Sequence, residues 1–545
     1  MFHEQYETMG WQISEIYEPL NRHWKATCKA IFGEEVGELS EFEEWLAKYN
    51  NPLPSRKSSA SGRNVSFVLP HYSKSAPIFS MDEVDFNRKF EPLNINEVKD
   101  MDSIAEAVRE RIAYTGNIWL GNSQFVAEST DIMDSFYVFK SSQITSSKYI
   151  AHGFHMEFSE NCFGTLHHGN CVNCIRMMDS DFLSRCFEVY GCEETADSYY
   201  SHHIFNCKNC LFCFNIRNAH HAIGNLELPQ EKYLELKRKL MGEMANELRT
   251  KKELPTLLEL VGNPEPDIAE MREIKKNLGK KQAAPIHPEI IESAFSKTTG
   301  VILGKSLTGI EKYHNWLSEF MKPTKRCKSA LTGEEMIVVG TPYYIRYPEN
   351  RLASEEESIL LGNSLKIAPE ELERFGLEKA KKFIGKIAYF HPGVDFGKLS
   401  NIIESHENVN ATDMFRSVIN ISSKKCAYSY VIIESESIFG CHSIRQSGFL
   451  LRCYLSSKLN RCFEVDSSRE CFDCYFCHNC ENVQDSMFCF NVKNKRYAIG
   501  NSVFARDEYL RVKGMLREEL VSRLKEGKGL KLNIFNIAEC GKERL

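Results

Sequence analysis

The sequence predicts a mixed fold of two β-solenoids with α-helical caps, made by internal duplication of one helix–β–solenoid–helix unit. Three observations predict it. From Ile132 to Ile216, and again from Ser429 to Val492, no residue at a position divisible by three is Asp, Glu, Lys or Arg, although 26% of the chain is charged. Every cysteine from Cys162 to Cys489 falls in that same phase. The second stretch repeats the first without a gap, 276 residues later.

An α-helix repeats its faces every 3.6 residues and a plain strand every 2, so neither sustains a period of three. A 3₁₀-helix has that period but stays short. A polyproline-type bundle needs glycine or proline at each third site, and these stretches lack it. What remains is a solenoid whose coil is a multiple of three residues, with one residue of each triplet pointing inward onto its equivalents in neighbouring coils. A coil of roughly 12 to 24 residues is expected. The residue before the inward one is often Asn or Asp, as at Asp134, Asn206, Asn209, Asn479, Asn482 and Asp485. Such residues tolerate the left-handed backbone that corners need. The residue after it is often aromatic, as at Phe136, Phe139, Phe163, Phe214, Phe463, Tyr475 and Phe490. That outer stripe predicts a covering element.

The duplication sets the order of elements. Arg185-Cys186-Phe187-Glu188-Val189 matches Arg461-Cys462-Phe463-Glu464-Val465, and Ala222-Ile223-Gly224-Asn225 matches Ala498-Ile499-Gly500-Asn501. Fainter matches reach back to Trp45-Leu46 with Trp316-Leu317, and Ile112-Ala113-Tyr114 with Ile387-Ala388-Tyr389. The expected layout is a lead-in over 1–130, a first solenoid over 131–225 and a capping helix over 226–250. A Lys/Glu/Pro-rich linker over 251–285 follows, then a second lead-in over 286–410. The second solenoid covers 411–501, and a capping helix with a tail covers 502–545. Pro229 suits a first helical turn. Two homologous halves are expected to pair about a pseudo-twofold axis, as an intramolecular dimer.

Composition narrows function. A net charge of −6 and a pI near 6.3 argue against a nucleic-acid binder. No apolar run approaches a membrane span, and the N-terminus lacks a signal peptide. Twenty cysteines without an export signal point to free thiols in a reducing cytoplasm. No P-loop, GxSxG, HExxH or EF-hand loop is present.

Cys471, Cys474, Cys477 and Cys480 form overlapping CxxC pairs, and Cys207, Cys210 and Cys213 form a shorter run. Zinc or an iron–sulfur cluster is the sharp reading of these spacings. The duplication favours the bland one. The first-half equivalents of the four are Thr195, Ser198, Ser201 and Ile204, so cysteine exchanges with other small residues as a packing group does. No cofactor is therefore expected, with metal at these cysteines as the alternative. Among the histidines, His202 has a histidine counterpart, His478, and a one-sided acid–base site in the first half is the third reading. Arg217 and Arg496 mark a basic spot after the last coil of each stretch, where pairing with Glu231 and Asp507-Glu508 is expected.

The segments Cys210-Leu-Phe-Cys213-Phe-Asn-Ile-Arg217-Asn218 and Cys489-Phe-Asn-Val-Lys-Asn494, each followed by a tyrosine-bearing helix, resemble cysteine-rich repeat proteins of prokaryotes. The likeness covers roughly 135–240 and 411–516. It implies a shared repeat and no settled activity. The helix–solenoid–helix order is similar to that of iron–sulfur assembly scaffolds built on β-helices, a likeness of fold alone. The expected function is a non-enzymatic scaffold that binds another macromolecule through rigid solenoid faces. The alternative is a protein that handles zinc or assembles iron–sulfur clusters.

Overall fold

A computed structural model describes residues 13–50, 52–157, 163–164, 174–175, 177–181, 187–193, 197–279, 285–340, 344–393, 395–452, 454, 463–466 and 472–540. The chain is mixed α/β, with many parallel strands and, among the described residues, twelve α-helices. It divides into two compact units. The first comprises Met1–Leu53, Ile118–Lys281 and Thr324–Val394; the second comprises Pro54–Asn117, Gln282–Pro323 and Asp395–Leu545. Each unit therefore takes one segment, 54–117 or 324–394, from the opposite half of the sequence.

The parallel strands pair with a constant register of twelve residues. In the first unit Ile132 lies opposite Ile144, and Val138 opposite Ile150. In the second, Met414 lies opposite Cys426, and Ile432 opposite Ile444. Strands of four residues start every six residues, as Thr130–Met133, Phe136–Phe139 and Ser142–Thr145 do, and alternate between two parallel ladders. The inward phase is borne out. Two core clusters consist wholly of residues at positions divisible by three: Val126, Ile132, Val138, Ile144 and Ile150 through Cys207, Cys210 and Cys213 to Ala222 in one, and Ala411 through Cys474, Cys477 and Cys480 to Ala498 in the other.

The residue before each inward one adopts the left-handed backbone. The expected Asp134, Asn206, Asn209, Asn479, Asn482 and Asp485 all have positive φ. So do residues that composition would never nominate: Tyr137, Ile419 (φ 57°) and Val431 (φ 56°). For a β-branched side chain this conformation costs about 1–2 kcal/mol. The ladder offsets that cost by stacking like on like. Asn206 donates to Asn218 at 2.7 Å, Asn479 to Asn491 at 2.9 Å and Asn482 to Asn494 at 2.6 Å, each twelve residues on. Phe125, Tyr137 and Tyr149 stack at 4.6 and 5.1 Å between ring centroids.

Serine at the inward positions has a specific task. Ser135 Oγ donates to the Met133 carbonyl at 2.7 Å and accepts the Ser147 amide at 3.1 Å, while the Ser135 amide donates to Ser123 Oγ at 3.2 Å. Ser417, Ser429 and Cys441 repeat the arrangement in the second unit. The hydroxyl thus gives the amide twelve residues on an acceptor, and shares a carbonyl that also accepts an amide.

In each unit one ladder ends the same way. Leu226–Glu227 pairs antiparallel with His220–Ile223, and Ser502–Val503 with Arg496–Ile499. The Gly-Asn of the repeated Ala-Ile-Gly-Asn is the turn between them. Gly224 has φ 59°, and a Cβ there would lie 2.0 Å from Ile367 Cδ1. Asn225 then accepts the Phe214 amide at 2.8 Å and donates to its carbonyl at 3.0 Å, so its side-chain amide stands in for one more strand. Asn501 does the same for Phe490. Helices Gln230–Lys251 and Arg506–Gly527 follow, burying Tyr233 and Tyr509.

The outer aromatic stripe is covered from within each unit. Trp24 of helix Ile13–Phe32 meets Phe163 edge-on at 5.4 Å. In the second unit the Tyr475 hydroxyl donates to the Ile302 carbonyl at 2.7 Å, and Phe439 packs on Phe295 at 5.4 Å. The segment read as a linker is partly core. Helix Leu257–Val261, capped by Thr256 and Glu259, buries Leu257, Leu258, Leu260 and Val261, so four apolar residues outweigh the surrounding charge. No helix among the described residues is long and apolar enough to cross a membrane.

Candidate metal centre

In the first unit three side chains from distant parts of the sequence converge. His203 lies in strand Tyr199–Phe205 at a left-handed position (φ 53°), which turns its ring away from the inward phase. Glu355 opens helix Glu355–Ser364, whose start is fixed by a capping box between Ser354 and Glu357. His391 follows helix Ala380–Ile387. It is held beside that capping box because the Ala353 amide donates to the Phe390 carbonyl at 2.9 Å and the Phe390 amide to the Arg351 carbonyl at 2.8 Å.

His203 Nε2 lies 2.9 Å from Glu355 Oε2, and His391 Nε2 lies 3.5 Å from the same oxygen. The three ligand atoms all fall within 4.8 Å of one another. Both rings are oriented from behind. His203 Nδ1 is 3.2 Å from Asn215 Oδ1, and Asn215 is itself fixed because its Nδ2 donates to the Tyr389 carbonyl at 2.9 Å. His391 Nδ1 is 3.1 Å from the Ala353 carbonyl. Both acceptors take the Nδ1 proton, which leaves each Nε2, a lone pair in the neutral ring, facing Glu355. Neither His203 Nε2 nor Glu355 Oε2 has a hydrogen-bond partner, although both atoms are buried.

Arg217 closes the far side of the carboxylate. Its guanidinium reaches Glu355 Oε1 and lies 4.7 Å over the Phe205 ring. The Arg217 guanidinium beside Glu355 favours the ionised form of the carboxyl. The group is therefore an anion at neutral pH. His202 Nε2 accepts the His391 amide at 3.1 Å and so positions the segment that carries His391. Burial, then the two neighbouring histidines, hold His202 well below its ordinary value and neutral.

The second unit differs at the equivalent places. His203 is matched by Asn479 and His391 by Thr115, and both hydrogen-bond Asn491 Oδ1, at 2.9 and 2.6 Å. His478, the counterpart of His202, accepts the Thr115 amide at 2.7 Å, and its Nδ1 lies 2.7 Å from Asp466 Oδ2, which also accepts from the Tyr72 hydroxyl at 2.7 Å. The bonds joining His478, Asp466, Tyr72 and the Thr115 amide are buried, as in a structural lock.

The remaining residues singled out by sequence lie elsewhere. Cys207, Cys210, Cys213, Cys474, Cys477 and Cys480 are buried inside the ladders. Cys207, Cys213, Cys477 and Cys480 each donate to the carbonyl two residues earlier, at 3.2, 3.4, 3.5 and 3.4 Å. A bond to Cys210 and burial push the Cys207 thiol up. Cys471 lies outside the described residues. Among those described, the metal-capable group of three is His203, Glu355 and His391, not a set of thiols. Arg496 pairs with Asp485 at 3.4 Å, and Arg217 pairs with Glu355; the expected pairing with Glu231 and Asp507-Glu508 is corrected, because these basic groups turn toward a neighbouring strand and the inserted segment rather than the capping helices. Of the candidates, Arg217 borders the centre and His202 supports it. Glu355 and His391 escaped sequence reasoning, since both lie outside the period-three stretches.

Comparison with protein-family models, curated proteins and solved structures found no match to this chain.

Proposed function

We propose that the chain is a metal-binding protein whose two ladder stacks are β-solenoids of twelve-residue coils, and whose first solenoid holds one divalent transition-metal ion at His203, Glu355 and His391. The carrying observation is the convergence of two imidazole Nε2 atoms on one buried carboxylate oxygen. With both rings neutral, acceptor faces acceptor, so a cation belongs between them. With metal–ligand bonds of about 2.0–2.1 Å, neighbouring ligand atoms sit about 2.9–3.4 Å apart, which the 2.9 and 3.5 Å separations fit. Two imidazoles and a carboxylate suit zinc, iron, cobalt or nickel rather than calcium or magnesium. The rigid solenoid fixes His203, and the inserted segment supplies the other two ligands. Elemental analysis of anaerobically purified protein is expected to give one metal per chain, lost in His203→Gln and His391→Gln and kept in His478→Gln. Retention of metal in both site variants refutes the reading.

A scaffold role is the second reading. Leu234 and Leu510 stand 43% and 40% exposed at matching places on the two capping helices, and such a repeated apolar residue suits a macromolecular partner. Co-purification of the same partner with wild type and with a Leu234→Glu, Leu510→Glu double variant counts against it.

A further inference from the structure

Resting on the metal-binding reading, we propose that this centre is an open site that takes a small inorganic oxyanion on the coordination positions the protein does not supply. Structural zinc sites are closed by four protein ligands, whereas sites that bind exogenous ligands keep three. Among the described residues, the group contains three ligands. The nearest polar side chains that would complete a fourth are committed elsewhere. Asn215 bridges His203 and the Tyr389 carbonyl, and Ser358 Oγ donates to the Glu355 carbonyl at 2.7 Å.

Charge and access select the ligand. A divalent ion with two neutral imidazoles and one carboxylate carries a net positive charge, and Arg217 adds another at the carboxylate's second oxygen. The histidine rings are buried, at 1% and 8% side-chain exposure, while Glu355 and Arg217 are 24% and 40% exposed. The approach therefore runs past a guanidinium, whose planar fork matches an oxyanion. The second unit has Asn479 and Thr115 in place of the two histidines, so it offers no such centre.

The test uses full-length protein loaded with cobalt(II), freed of excess metal, and titrated with inorganic phosphate while its visible spectrum is followed. The expected result is a saturable spectral change in the wild type. In Arg217→Gln, cobalt stays bound and phosphate binds about tenfold more weakly, the effect of one lost charge-assisted hydrogen bond. A spectrum indifferent to phosphate, in protein that holds one cobalt, overturns the open site and leaves the metal reading intact. An unchanged phosphate affinity in Arg217→Gln overturns the part assigned to Arg217. Failure of the wild type to hold cobalt, with His391→Gln behaving identically, overturns both proposals.

Discussion

Replacing Ser135 by alanine isolates the task assigned to inward hydroxyls. Ser135 is fully buried, donates to Met133 and accepts the Ser147 amide. The Met133 carbonyl keeps a second donor, the Ser146 amide at 2.9 Å. The Ser147 amide loses its bond to Ser135 Oγ, so the substitution removes one buried hydrogen bond. A buried hydrogen bond contributes about 0.5–1.5 kcal/mol, and the small gain from burying a methyl group instead of a hydroxyl offsets part of it. A net loss of about 1 kcal/mol is expected, concentrated in the first unit. Because a chain of two units need not unfold in one step, native-state hydrogen exchange at the Ser147 amide is the assay of choice. Protection there should fall about fivefold, with that of the second unit unchanged. Ser135→Cys should fall between wild type and alanine, since a thiol donates to the same carbonyl, as Cys207 does, but accepts poorly. Wild-type protection of the Ser147 amide in Ser135→Ala would refute the reasoning.

Cys213→Ser should cost less than about 1 kcal/mol by urea denaturation, because serine makes the same bond to the carbonyl two residues back; a large loss would mean the sulfur does more than pack. Glu128 sits at a left-handed position (φ 48°) with its pKa raised by burial, so Glu128→Asn should raise stability by about 0.5–1 kcal/mol, seen as a higher melting temperature. In the second unit burial, then Lys322 and His71, hold His442 at about 3. A depressed histidine stays neutral when folded but protonates when unfolded, so stability falls as pH drops through about 6.5 and levels off below about 3. His442→Met should remove about 1.4 kcal/mol per pH unit of that slope; parallel stability–pH curves for variant and wild type would argue otherwise.

The repeating part of the fold was legible because packing imposes it on single residues. A side chain at Ile132, Val138 or Cys477 must be uncharged to lie inside the ladder, and the period shows directly. Asn and Asp signalled the left-handed corners for the same local reason. Val431 and Ile419 gave no such signal, because the stack holds them in a conformation their own chemistry disfavours. The exchange of 54–117 and 324–394 between units left no mark either: two similar halves offer similar surfaces, and only three-dimensional packing chooses between them. That exchange is why the metal centre was hidden. His203 stands in a stretch of obvious design, but Glu355 and His391 reach it from a segment that sequence assigns to the other half. The cysteines drew notice by their spacing, yet their thiols replace serine hydroxyls.

The antiparallel closing pairs have a consequence for molecules in a crowd. A stack of parallel strands invites a second copy to dock end to end, and repetition of that contact would draw a fibre. Here the last rung reverses direction, is two residues long, and is followed at once by a helix. An incoming copy meets a strand of the wrong polarity at that ladder, which disfavours end-to-end addition there.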